Sequence, residues 1–291
     1  MKAIEIRWSM SRRWSLFSIT LSSCLLGWAS SSVGAQVADA PKVRASLVID
    51  AAEVEVGSTP RIGVRFEIEK GWHIYWRYPG GAGLATQVEL ELPDGLQAGP
   101  LQWPLPIAFS QGEGIPGYGY EESVVLASEI TVPADFDRTR AGKVRAEVSW
   151  LACKDLCVFG SAEIESWLAE LPVYRDFDAW SRNLPAMIDE SNAPFTLSAT
   201  GGLAEGVVTH WLRWRDAPLP VEWFPNPSEA LEVGAVRIQT RGGLTRIDAE
   251  IKARKGIIGS TDTLPSLVVI TESDGSRRGW EVSASLKGEQ V

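Results

Sequence analysis

The sequence predicts an all-β protein: a β-sandwich, a short helical connector, then a second, smaller β-sandwich. Three observations carry this. Short segments alternate apolar and polar residues with a period of two. Glycine, proline and aspartate clusters punctuate them. Helical spacing appears in one stretch only, 176–191.

The segment "VRASLVID" (43–50) opens the first sandwich. In "RIGVRFEI" (61–68), Ile62, Val64, Phe66 and Ile68 alternate with Arg61, Gly63, Arg65 and Glu67, a strand with one buried face. "WHIYWR" (72–77), "QVELEL" (87–92) and "SVVLASEITV" (123–132) are further strands. "PGGAG" (79–83) and "PDG" (93–95) are turn signals between them. In "VRAEVSW" (144–150), Val144, Ala146, Val148 and Trp150 face one way. Short strands with regular turns suit a sandwich.

In "DFDAWSRNLPAMIDES" (176–191), Phe177, Trp180, Leu184 and Ile188 recur at helical spacing. Pro185 interrupts them, so two short helical turns are expected, the second opened by Pro185. Strands resume with "VVTHWLRW" (207–214), "VEWF" (221–224), "AVRIQT" (235–240), "LTRIDAEIK" (244–252), "SLVVIT" (266–271) and "GWEVSASL" (279–286). "SDGS" (273–276) is a hairpin turn. The expected divisions are 41–174 for the first sandwich, 175–192 for the connector and 193–288 for the second sandwich.

A chain of 291 residues, 45% hydrophobic and 22% charged, has the composition of an ordinary globular protein. Its net charge of −9 argues against a general nucleic-acid binder. Residues 1–35 read as an export signal. Lys2, Arg7, Arg12 and Arg13 precede the apolar stretch 14–29, and "SVGA" ends at Ala35 with a small-residue cleavage pattern. Cleavage there removes four basic residues and Glu5, taking the charge to −9 − 3 = −12. Two rivals stand beside it: "LSSC" ending at Cys24 resembles a lipoprotein box, and "SRRWSLF" (11–17) carries the paired arginine of twin-arginine export. An uncleaved anchor is a third option. No later stretch has the ~18–20 apolar residues of a membrane helix. The expected location is therefore the periplasm, with a lipid anchor at Cys24 as the alternative.

In an oxidising compartment disulfides persist. Removal of Cys24 leaves Cys153 and Cys157, in "WLACKDLCVFG" (150–160). As a staple the pair is weak, because closing so short a loop contributes about 2 kcal/mol in the chain-entropy model, against about 4 for fifty residues. As a redox centre it can supply an attacking and a resolving thiol, given alpha carbons within about 7 Å. Lys154 favours a thiolate and Asp155 opposes it. As a metal clamp it lacks neighbours: the only histidines, His73 and His210, are distant in sequence. Both histidines read as packing or surface residues. No G-x-S-x-G elbow is present, and "GGAG" (80–83) is a loop rather than a phosphate cradle. "GIPGYGYEES" (114–123) reads either as a turn edged by tyrosines or as a loop shielding the cysteines.

"GWHIYWRYPGGAGLATQVELELPDG", "QWPLP", "YGYEESVVL" and "VSWLACKDLCVFG", in this order, resemble the N-terminal periplasmic domain of DsbD-type thiol:disulfide interchange proteins, nearest to the ScsB-like branch linked to copper tolerance. The resemblance covers roughly 43–172. It implies an immunoglobulin-like first sandwich and a reversible pair, Cys153 and Cys157, as the catalytic residues. It also implies an aromatic cap loop, for which Tyr118 and Tyr120 are the candidates. Electrons are expected to come from a separate membrane protein and pass to periplasmic thioredoxin-like clients, with no cofactor. The spacing here is C-x3-C, where the best-known members have a longer gap. Two other readings stand beside this one: a protein-binding module with a structural disulfide, and a copper-handling protein.

Overall fold

A computed structural model describes residues 42–111, 114–136, 142–189, 191–257 and 262–287. The expected signal segment and Cys24 lie outside the described residues. Pro41–Val291 forms one compact unit.

The first half is built of β1 (Val43–Ile49), β2 (Arg61–Ile68), β3 (His73–Gly80), β4 (Gln87–Glu91), β5 (Gln97–Ala98), β6 (Ile107–Ser110), β7 (Pro116–Glu121), β8 (Ser123–Thr131), β9 (Lys143–Cys153) and β10 (Cys157–Trp167). One sheet runs β1-β2-β8-β5 and the other β10-β9-β3-β7-β6, with β4 also on β9. They form a sandwich whose core includes Ile62, Val64 and Phe66 from one sheet and Val144, Ala146, Val148 and Trp150 from the other. The period-two reading of β2 and β9 thus matches the buried faces.

A short helix, α1 (Phe177–Arg182), follows. It lies against the outer face of β8, where Phe177 and Trp180 pack on Val125 and Ala127, and the Trp180 indole N–H donates to the Val125 carbonyl at 2.8 Å. Only this first turn of the expected connector is helical. Pro185 opens β11 (Ala186–Met187) instead, which pairs in parallel with a later strand. Leu184 therefore packs back against α1 and β8, whereas Ile188 is held at the sheet edge, its N–H donating to the Glu281 carbonyl at 3.4 Å.

The second half adds β12 (Phe195–Gly202), β13 (Val207–Trp214), β14 (Val221–Pro225), β15 (Leu231–Arg241), β16 (Leu244–Ala253), β17 (Thr263–Thr271) and β18 (Arg277–Ser285). Sheets β11-β18-β17-β14 and β12-β13-β16-β15 enclose a second core around Phe195, Leu212, Trp223, Ile247, Val268 and Trp280.

The run Leu267-Val268-Val269-Ile270 does not alternate because β17 is buried on both faces. Val268 and Ile270 face the second core, whereas Leu267 and Val269 join the first. Phe224 on β14 does likewise, edge-on to Trp76 and Tyr118. The second sandwich therefore backs the first through β14, β17 and β18.

Candidate functional site

Cys153 ends β9 and Cys157 begins β10, directly opposite each other in the antiparallel register. Their alpha carbons are 4.1 Å apart and a disulfide joins them. Such an opposed pair presents its side chains on one face. Along β9 the even-numbered residues Val144 to Ala152 point into the core, so Cys153 faces outward by alternation.

The two sulfurs are not equivalent. Cys153 is only 3% exposed. Cys157 is exposed, at the end of a tight tip where the Lys154 N–H bonds the Leu156 carbonyl. Around it lie exposed apolar side chains: Leu156 at 61%, Phe159 at 62% and Val158 at 43%.

Cys153 is covered by groups on the same face. His73 is its register partner on β3. The Tyr75 hydroxyl lies 3.3 Å from the Cys153 sulfur and 2.7 Å from the Gln111 side-chain oxygen. A phenol has one proton, so the two acceptors share it. Burial raises the Tyr75 pKa, which keeps the hydroxyl protonated at neutral pH. Gln111 is itself held: its amide nitrogen donates to the Ala82 and Pro116 carbonyls at 3.1 and 3.4 Å, and its backbone N–H to Ile115 at 2.9 Å. Phe109 stacks on His73 with centroids 3.9 Å apart and lies 5.9 Å from the Tyr75 ring. Burial lowers the His73 pKa, favouring the neutral ring.

Glycine is required twice in this cover. Gly83 has φ +103° and sits against the Tyr75 ring, where a Cβ would collide with it. A Cβ at Gly117 would collide with Phe109 and Gln111.

Tyr118 and Tyr120, expected on a cap loop, are on strand β7. Both point into the sandwich core: Tyr118 lies edge-on to Phe224, and the Tyr120 hydroxyl donates to the Pro104 carbonyl at 2.7 Å. Strand alternation explains the correction. Gly117 and Gly119 carry the face on which Cys153 lies, so the tyrosines between and beside them face away. Burial pushes the Tyr118 hydroxyl up to about 12 and Tyr120 well above its ordinary value. Tyr75 contacts the cysteine instead, with Gln111 and Phe109 packed on Tyr75 and Phe109 also on His73. The sequence signal for Tyr75 was its place two residues after His73 on one strand. Phe109 and Gln111 carried no such signal.

His210 lies apart from the pair, fully buried in the second core beside Trp223. Among the described residues no three His, Cys, Asp or Glu side chains gather as a metal site, and no helix is long and apolar enough to cross a membrane.

Residues 45–169 match the family model for the N-terminal domain of thiol:disulfide interchange protein DsbD. No curated protein matches the chain. Among solved structures, the N-terminal periplasmic domain of ScsB from Proteus mirabilis is similar, with a TM-score of 0.61 and 18% identity over 84% of this chain and 93% of that one. That likeness shows a common fold.

Proposed function

We propose, from the premise that residues 45–169 are a DsbD-type N-terminal domain, that this chain passes electrons by thiol–disulfide exchange in the periplasm. The observation that carries the reading is the asymmetry of the pair: an exposed Cys157 ringed by exposed apolar side chains, beside a covered Cys153. An exchange centre needs one accessible sulfur to attack and a second within reach to resolve.

In the reduced protein the Cys157 thiolate attacks a client disulfide. A mixed disulfide forms and one client thiolate leaves, taking up a proton. The Cys153 thiolate then attacks the Cys157 sulfur and releases the second client thiol. Two electrons and two protons have passed to the client, and the Cys153–Cys157 disulfide is restored. A dithiol donor reverses the sequence and recharges the pair. Leu156, Val158 and Phe159 provide the apolar contact that a protein client would cover. Thioredoxin-like periplasmic proteins are the clients, and a membrane-borne dithiol is the donor.

Trapping tests the order of attack. The Cys153→Ala variant, which retains Cys157, should accumulate a mixed disulfide with a thioredoxin-like periplasmic protein, resolved by non-reducing electrophoresis. The Cys157→Ala variant should trap far less. Absence of any adduct with Cys153→Ala would overturn the exchange reading, and a stronger adduct with Cys157→Ala would reverse the roles.

A further inference from the structure

The cover over Cys153 hangs on a segment that the second sandwich grips. Phe109 lies on β6 and Gln111 just beyond it. Among the described residues β6 pairs only with β7, as the sheet's edge strand. Its approach, Pro104-Leu105-Pro106, includes two prolines, which have no N–H for a ladder.

Each backbone group that matters in this approach is fixed by something other than ladder pairing. The Tyr120 hydroxyl holds the Pro104 carbonyl. The Leu105 N–H donates to the Asn183 carbonyl at 2.8 Å, just after α1. The Arg277 guanidinium, on β18, donates to the Pro106 carbonyl at 2.8 Å and to Glu222 of β14 at 2.7 Å. Gly279, two residues along β18, lies against Leu105 so closely that a Cβ would collide. Arg77 and Glu281 add a second bridge between the sandwiches at 2.7 Å.

We infer that the second sandwich sets the position of the cover over Cys153, and that Arg277 is the positioning residue through which it does so. Arg277 is suited to this. Its Nη2 group carries two N–H donors and serves a neutral carbonyl and a carboxylate at once, the ion pair with Glu222 orienting it toward Pro106. Pro106 is three residues from Phe109 and five from Gln111 in the sequence, and most of the interval is strand. A shift at Pro106 therefore reaches the two side chains that hold Tyr75, whose hydroxyl lies on the sulfur. The exchange reading supplies the purpose of this shelter, but the geometry and its test do not depend on it.

The experiment measures alkylation of Cys153 by iodoacetamide, read by peptide mass spectrometry, in the reduced protein carrying Cys157→Ala. Arg277→Gln in that background should speed alkylation on the order of ten-fold, the loss of one charge-assisted hydrogen bond. Arg277→Lys, which keeps the charge on a shorter side chain, should fall between. Val268→Ala, in the second core away from the clamp, separates positioning from general loosening. It should lower the melting temperature without a comparable rise in rate. An unchanged rate in a folded Arg277→Gln protein would overturn the assignment, as would an equal rise in Val268→Ala at matched stability. Should Arg277→Gln fail to fold, Gly279→Ala, which pushes on Leu105, replaces it with the same two outcomes. If the pair itself proves unable to exchange, the alkylation rates still decide whether the clamp exists.

Discussion

At the scale of single residues, the site rests on what strand alternation does to two sulfurs and one phenol. Cys153 and Cys157 differ in exposure because one ends a strand beneath a cover and the other begins the edge strand. Tyr75 touches the covered sulfur, so it should stabilise the thiolate that forms there on reduction. Tyr75→Phe should raise the Cys153 thiol pKa by roughly one unit, the worth of a hydrogen bond to a charged group. Thiolate absorbance followed against pH in the Cys157→Ala background checks this; an unmoved pKa would remove Tyr75 from the chemistry. His210 makes a separate prediction. Neither of its ring nitrogens has a protein partner among the described residues, and burial lowers its pKa from 6.5 to about 4. The unfolded chain therefore binds a proton first as pH falls. Stability is full above pH 6.5 and declines between 6.5 and about 4, by about 3 kcal/mol in all if His210 acted alone. Urea unfolding at pH 7 and pH 5 should show the decline, and His210→Leu should flatten it. The two cysteines were legible as a pair from the sequence. Their inequality was not, because the cover on Cys153 is Tyr75, held by Gln111 and Phe109, which reach the site through strand pairing rather than spacing.

At the scale of elements, the strands that were legible are those with clean alternation or an unbroken β-branched run. β2 and β13 match their expected bounds, 61–68 and 207–214. The two-faced runs in β8 and β17 were visible as strands, but not what covered their outer faces, which are α1 and the first core. β7, β10 and β12 were missed for different reasons. β7 is proline- and glycine-rich because β3 and Phe109 approach it closely. β10 has a nearly solvated pattern with acids at Glu163 and Glu165, so its period of two carries little hydrophobic contrast. β12 is made largely of small and hydroxyl residues. The β7–β8 turn also holds the one non-glycine residue with a left-handed backbone among the described residues, Glu122 at φ 60°, whose carbonyl accepts the Ile68 N–H at 2.7 Å. Glu122→Gly should leave that bond in place and stabilise the protein by about 1 kcal/mol, measured by urea unfolding. A loss of stability would mean that the side chain contributes more than the backbone costs.

At the scale of the whole molecule, the two sandwiches share apolar surface rather than merely following one another. Phe224, Leu267 and Val269 belong to the first core although they come from the second sandwich. Unfolding should therefore be a single transition. Phe224→Ala, which removes the ring between Trp76 and Tyr118, should cost about 3–5 kcal/mol and split the transition in two. Tryptophan fluorescence and far-ultraviolet circular dichroism, compared across one urea series, would show whether the curves separate. This shared surface explains why a fold read correctly as two sandwiches still concealed its most informative contact. The sequence marks which strands are buried on both faces, but not which partner buries them. The proposed function requires the hairpin disulfide to open and close. The test is the reduction potential of the Cys153–Cys157 pair in the purified protein, equilibrated with glutathione or dithiothreitol buffers. The expected potential lies among those of the exchange proteins, roughly −120 to −270 mV. A value below about −300 mV would be that of a resistant structural bond and would contradict it.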